Sequence, residues 1–497
     1  MSAVSTTKVH SLKRDSLGLP STIAVSLSFI APTIGALFET QLIASKAGAS
    51  TPFVFAIGAI ALALNAATFA QFAKRLPSSG ILYSAVAKGL GAPAGLVMGL
   101  VLLVVYGIVS VANIDLFGSF VADVLKRRAS TDVPWWVLVI AIVLLIGVFA
   151  WFSVSASMKF DLVLLAFEIV VTGILFLVII VRGGDSGQHL SVLGPTLSPG
   201  GASGLGLGFV YVALAFFGFE ACTTVAEEAK NPRRSVPIAL IGSVLISGLF
   251  FVFASYATVI GFGTGNMDKL TGSAAPISDL AGRYMNHGYE ALIDIAAISA
   301  ITAVLFSMQN ANARVWFALS RESIIPRILN RTHPKYKTPT TAIVAFSAVS
   351  LVGALAFGAY WGPNAAFGNL GYFAGLGILP IYLLPNIALI RYMWTKHRSE
   401  FSWLHHGVLP ALASAIIVVA LIFTVYPLPV GTTRWMPFVL AVIVIAAIGW
   451  VLWLRQTNPA QIERVGTTVF VTTEELVAGA TETLTGSAPA EDGVSTR

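Results

Sequence analysis

Apolar stretches of about 20 residues, nearly free of charge, alternate along this chain with short polar connections. A helix of that length spans the ~30 Å hydrocarbon core of a bilayer, so each stretch predicts a membrane crossing. Crossings are predicted over 22–47, 52–72, 93–122, 134–154, 158–182, 204–226, 236–262, 288–318, 339–358, 366–393, 408–426 and 436–454. The pattern is that of an all-α polytopic membrane protein with 12 transmembrane helices. Residues 1–21 read as a polar cytoplasmic N-terminal segment, and the apolar stretch after them is too long for a signal-peptide core. From 456 to 497 the chain turns to Thr, Ala, Gly and acidic residues, which predicts a disordered cytoplasmic tail.

Composition agrees. Of the 497 residues 56% are hydrophobic and only 11% charged, about half the charge of an ordinary soluble chain. The single cysteine, Cys222, can form no internal disulfide. Net charge is +7, but the basic residues sit beside apolar stretches, where they act as topology signals and not as a nucleic-acid surface. With the N-terminus inside, the inner segments collect 22 of the 30 basic residues; three of the outer eight are the run Lys126, Arg127 and Arg128. The asymmetry and the even span count place both termini in the cytoplasm of a cell (inner or plasma) membrane protein.

Two spans contain helix breakers. In hydrocarbon a break is tolerated mainly where the backbone lines an enclosed cavity, so breaks point at sites. The first span reads "SFIAPTIGALFET", with Pro32 removing a backbone donor, Thr33 offering a hydroxyl, and Gly35 relaxing the chain beside Ala36. The sixth reads "LAFFGFEACTTVAEE", with Gly218 between Phe217 and Phe219. A packing kink is the alternative for either alone. Together they open two successive five-helix sets. Five is odd, so the second set threads the membrane in the opposite sense, the inverted-repeat design of many secondary transporters. The expected organisation is a ten-helix core over 22–393 followed by two additional helices over 394–455.

An ionisable side chain inside a span is costly and marks function. Four carboxylates qualify: Glu39, Asp115, Glu168 and Glu220. With no Lys or Arg deep in a span, each takes up a proton or is neutralised by a bound cation. Tyr106 offers a hydroxyl and ring face for an amine, and Phe216, Phe217 and Phe219 offer an aromatic lid. His10, His189, His287, His333, His397, His405 and His406 all fall in loops, ends or tails, leaving no metal set and no basis for an enzyme. No Gly-rich Lys-Ser/Thr nucleotide loop is present, so the drive is a gradient and no cofactor is implied. A channel is disfavoured because paired breaks in inverted halves suit an occluded site.

The stretch "FFGFEACTTVAEEAKNPRRSVPIAL", residues 216–240, resembles the amino acid, polyamine and organocation permease superfamily in its Gly-Phe-acid group, Glu-Glu pair and Pro-Arg-rich loop. The segment "NANARVWFALSRESIIPRILNRTHPKYKTPTTAI", residues 310–343, is similar to the family's loop after span eight, with Arg314, Arg321, Pro326, His333, Pro334 and Pro339 in order. "RLPSSGILYSAVAKGLG", residues 75–91, is similar to the pattern after span two. The resemblance implies a LeuT-like five-plus-five inverted repeat plus two helices, working by alternating access. It places Pro32, Thr33, Gly35 and Ala36 with Phe216, Gly218, Phe219 and Glu220 at the substrate, and Glu227, Glu228, Arg233 and Arg234 at the cytoplasmic gate. Two features depart from the family. Amino-acid-transporting members often have Gly-Ser-Gly in span one, where this chain has Ala-Pro-Thr-Ile-Gly-Ala; proton-coupled members commonly have a lysine where Glu168 stands. The first-span pattern, Tyr106 and "GFEACTT" are similar to bacterial putrescine importers within the superfamily.

The expected function is a secondary active importer of an amino acid or related cationic amine. Glu220 with Asp115 or Glu39 would hold the cation, Tyr106 and Phe219 would box it, and Glu168 and Glu220 would couple transport to protons. Sodium coupling, a neutral amino acid symporter and an exchanger remain as alternatives.

Overall fold

The computed structural model describes residues 18–459, apart from 76–80, 153–157, 186, 227–228, 322–324, 334, 337, 427 and 430. Glu227, Glu228, Pro334 and the tail beyond 459 lie outside the described residues. Among the described residues the chain is helical throughout, with no β-strand. It opens with α1 (Leu19–Ile30), α2 (Pro32–Ile34), a π-helical turn over Gly35–Glu39, and α3 (Thr40–Ala47). Then follow α4 (Thr51–Arg75), α5 (Ile81–Leu90), α6 (Ala92–Ala129), α7 (Trp135–Trp151) and α8 (Met158–Val181). The next helix, α9 (Gly201–Ala215), gives way to a 3-10 segment over Phe219–Val225 before α10 (Pro232–Phe262). Two short helices, α11 (Met267–Gly272) and α12 (Pro276–Tyr284), lead into α13 (His287–Arg321). The chain closes with α14 (Thr340–Trp361), α15 (Pro363–Lys396), α16 (Leu409–Val425) and α17 (Met436–Thr457).

Among the described residues ten helical stretches are long and apolar enough to cross a membrane, and α7 is shorter. One of the ten, Leu19–Arg75, is 57 residues long. At 1.5 Å per residue it would measure about 85 Å, nearly three hydrocarbon thicknesses. It is therefore no single rod. Ala31, with φ 47°, and Gly48, with φ 56°, divide it. Elsewhere the boundaries follow local chemistry: prolines open α10, α15 and α16 at positions where no backbone donor is needed. Gly263 and Gly362, both at positive φ, close α10 and α14.

Burial sorts the helices. The 201–223 stretch and α15 are mostly enclosed, whereas α16 and α17 present Val419, Ile422, Val442 and Ile445 outward. Apolar surface on that scale has no place against water and defines a lipid-facing belt. The enclosed pair is pressed together through a small residue, since a Cβ at Gly375 would stand 2.2 Å from the Val210 carbonyl oxygen. α4 packs along α10, and α6 along α15.

Two residues of the basic run at the end of α6, Arg127 and Arg128, are paired in the fold. Arg127 binds Asp123 at 2.6 Å and Glu290 at 3.1 Å, and Arg128 binds the buried Asp294 at 2.5 Å. The Ser278 hydroxyl donates to the same Asp294 at 2.6 Å, so the Ala129 end of α6 is tied to α12 and α13. Gln41 of α3 adds hydrogen bonds to the carbonyls of Thr271 and Ser273. At the opposite end Arg75 pairs with the exposed Glu400 at 2.9 Å, which holds that carboxyl below its ordinary range. Arg233 and Arg234 are exposed at the start of α10.

Candidate functional site

The break in the first long helix falls one residue earlier than the sequence pattern suggests. Ala31 takes the left-handed conformation (φ 47°, ψ 73°), its N–H bonding to the Leu27 carbonyl, and Pro32 then starts the next helical piece. A non-glycine residue held there costs of order 1–3 kcal/mol, which marks the site as built for something other than stability. Gly35 does not relax the chain: its φ is −58°, and its missing side chain admits the Phe251 ring, which a Cβ would meet at 2.3 Å. The π-helical turn that follows, containing Ala36 and Glu39, is a second irregularity of the kind found at functional sites.

The second break falls at Gly218, as the sequence pattern has it. Its φ of 98° requires glycine, and a Cβ there would also lie 2.1 Å from the Phe29 ring of α1. The two breaks are stitched together. Ser26 of α1 donates to the Phe219 carbonyl at 2.6 Å and accepts from the Cys222 N–H at 3.1 Å, satisfying backbone groups freed where α9 ends.

Glu220 sits directly beyond Gly218, 3% exposed. Tyr106 of α6 donates to its Oε1 at 3.1 Å and Tyr382 of α15 to its Oε2 at 3.2 Å. The backbone amides of Gly218 and of Glu220 itself face the same carboxylate, so every neighbour named here is a donor. Around this group stand aromatic rings: Phe217 lies 4.6 Å from Tyr106, Phe29 lies 6.3 Å from Tyr106, and Phe219 lies 5.1 Å from Tyr382 with Phe69 behind it. The result is a carboxylate inside an aromatic box, which can hold an ammonium by charge, hydrogen bonds and ring faces together.

The other predicted residues are not gathered there. Asp115 is wholly buried with both carboxylate oxygens unpartnered, and it faces α14, where a Cβ on Gly358 would come within 2.9 Å of it. Nine residues from Tyr106 is two and a half helical turns, so the two side chains leave α6 on opposite faces. Phe216 likewise turns away and meets Phe251 at 5.1 Å, in a stack with Phe55. Glu39 is buried beside Gly35 and Phe251, its Oε2 unpartnered. Glu168 makes its own cluster: Ser299 of α13 donates to Oε1 at 2.8 Å, and the buried Thr33 hydroxyl faces the same carboxylate but stops short of a hydrogen bond. That cluster joins α8, α13 and the segment just past the Ala31 break. Among the described residues no group of three or more His, Cys, Asp or Glu is placed to hold a metal ion.

Tyr382, Phe29 and Ser26 were not singled out by the sequence analysis, yet they shape the site together with Phe217, one of the three rings expected as a lid. Tyr382 had a signal, because it lies between Pro380 and Pro385 inside an apolar helix. The breaker argument that selected the other two spans applies there as well.

Long lipid-facing helices around an enclosed acid at the meeting point of two broken segments define a multi-pass membrane protein. The chain belongs to the amino acid permease family, whose profile matches residues 17–448. It is similar to the branched-chain amino acid permease of Bacillus subtilis, at 27% identity over 72% of this chain and 78% of that protein. Similarity to the methylthioribose transporter of the same organism is 26%, over 85% of this chain and 88% of the relative. The low-affinity putrescine importer of Escherichia coli K12 is 24% identical, over 78% of this chain and 82% of its own. The family resemblance drawn from residues 216–240 and 310–343 is thus borne out.

Proposed function

We propose that this permease is a secondary active importer of a small substrate bearing an ammonium group, an amino acid or a related amine. The observation that supports the reading is Glu220, buried at the break and held between Tyr106 and Tyr382 inside the aromatic box. A protonated amine would meet a carboxylate, two phenol oxygens and ring faces. Branched-chain amino acids and putrescine, for which two of the relatives are named, share that group. In this reading the polypeptide crosses a cell membrane twelve times with both termini inside, ten of the crossings forming two inverted five-helix halves. The breaks at Ala31 and Gly218 are related positions of the halves, and alternating access rocks the halves about them. Glu168, beside the first break, is the proton-coupling group.

Within this reading the amino acid is favoured over the diamine by one feature. Glu220 is the only one of the four predicted acids in the box, and Asp115, the second acid a diamine would use, faces α14. A substrate with one ammonium and an apolar remainder matches one acid and several phenyl rings.

A competition panel on reconstituted protein tests the choice. Leucine and alanine are expected to displace a labelled substrate at least about tenfold more effectively than putrescine, a difference of about 1.4 kcal/mol. Displacement by putrescine alone, with amino acids inert, would reverse the assignment.

A further inference from the structure

The tyrosines that bind Glu220 also decide which amines fit. A tyrosine hydroxyl has one proton and retains acceptor capacity after donating it. Tyr106 and Tyr382 each give that proton to Glu220, so their oxygens remain free to accept. The box then offers three acceptor groups: one carboxylate and two phenol oxygens. A primary ammonium carries three N–H donors and no acceptor, which matches that set one for one. The remaining wall, Phe29, Phe69, Phe217 and Phe219, supplies ring faces without hydrogen-bond acceptors.

Tyr382 is itself held in place. Its carbonyl accepts from the Asn65 side chain of α4 at 2.9 Å and from that of Asn386 at 3.3 Å. Both asparagines are 0% exposed; each donates through its side-chain NH2, and its side-chain oxygen has no partner. These bonds fall between Pro380 and Pro385, where the helix lacks two of its own backbone donors and would otherwise be loose. Two buried amides trained on one carbonyl fix the turn from which the Tyr382 ring reaches Glu220.

We infer that Tyr382 and Tyr106 are specificity-determining residues that select a primary ammonium against N-methylated amines, with Asn65 a positioning residue acting through Tyr382. The inference rests on the proposed import of ammonium-bearing substrates and adds the substitution state of the nitrogen. Each added methyl removes one donor and leaves a buried phenol oxygen or the carboxylate short of a partner.

The test is inhibition of uptake in proteoliposomes by alanine and its N-methyl, N,N-dimethyl and N,N,N-trimethyl derivatives. Wild type is expected to lose about tenfold in apparent affinity for each of the first two methyl groups. Tyr382→Phe keeps the ring and is expected to shrink the primary-to-dimethyl preference by about tenfold, chiefly through a raised KM for the primary amine. Asn65→Leu is expected to do the same more weakly, and Tyr106→Phe provides a second reading should Tyr382→Phe fail to fold. If the methylated series inhibits as well as alanine in a protein whose uptake requires Glu220, the inference is overturned while the reading of the site stands. If no amine inhibits and Glu220→Gln transports normally, the reading falls and takes the inference with it.

Discussion

Glu220→Gln is expected to reduce substrate uptake by about 100-fold or more while the protein still folds and inserts. Truncating or neutralising one partner of a buried charged pair costs 2–5 kcal/mol, and an ammonium drawn into the box would lose its only opposing charge. The empty protein tolerates the change better. Glutamine retains an oxygen for one tyrosine, and the other hydroxyl can turn to accept from the new amide. Tyr106, Phe217 and Tyr382 would stay packed as they are. Labelled uptake, with monodispersity and thermal stability as the folding control, checks it. Uptake at the wild-type rate would remove Glu220 from the site.

Glu168→Gln is expected to separate coupling from binding. Its carboxylate touches Ser299 and faces Thr33, one element away from the Glu220 box, so a group that changes charge there would bias the first broken segment without contacting substrate. One proton carried with each substrate down a gradient of one pH unit releases about 1.4 kcal/mol, which sustains about tenfold accumulation. The variant is expected to accumulate substrate only to about the external concentration, while exchange of internal for external substrate continues. Full gradient-driven accumulation in Glu168→Gln would transfer the coupling role elsewhere.

Much of this architecture was legible because the bilayer imposes simple rules. Apolar length marks crossings, and a breaker at membrane depth is unusual enough to stand out, so Gly218 and the acid two residues later were found from sequence. Position along the chain was read better than direction around the helix. Asp115 was grouped with Tyr106 on sequence proximity, although two and a half turns separate them; a count of 100° per residue would have shown the opposition. Phe216 and Phe217 are read alike as parts of a lid, since nothing local distinguishes two adjacent rings, and only the backbone at 216–218 decides which faces α6. Gly35 was read as a hinge from its type, but the hinge fell at Ala31, where proline restricts the residue before it. Tyr382 lies 162 residues from Glu220, and no short-range pattern reports that contact. The site is assembled by packing of α6, α15 and the broken α9 segment, which no single stretch of sequence contains.

Uptake of labelled leucine, alanine, arginine and putrescine into proteoliposomes, each with an inward proton gradient and with none, tests the central claim most directly. The account predicts gradient-driven accumulation of at least one amino acid, lost in Glu220→Gln. Absence of any amine or amino acid uptake under either condition, in protein shown to be folded, would contradict it.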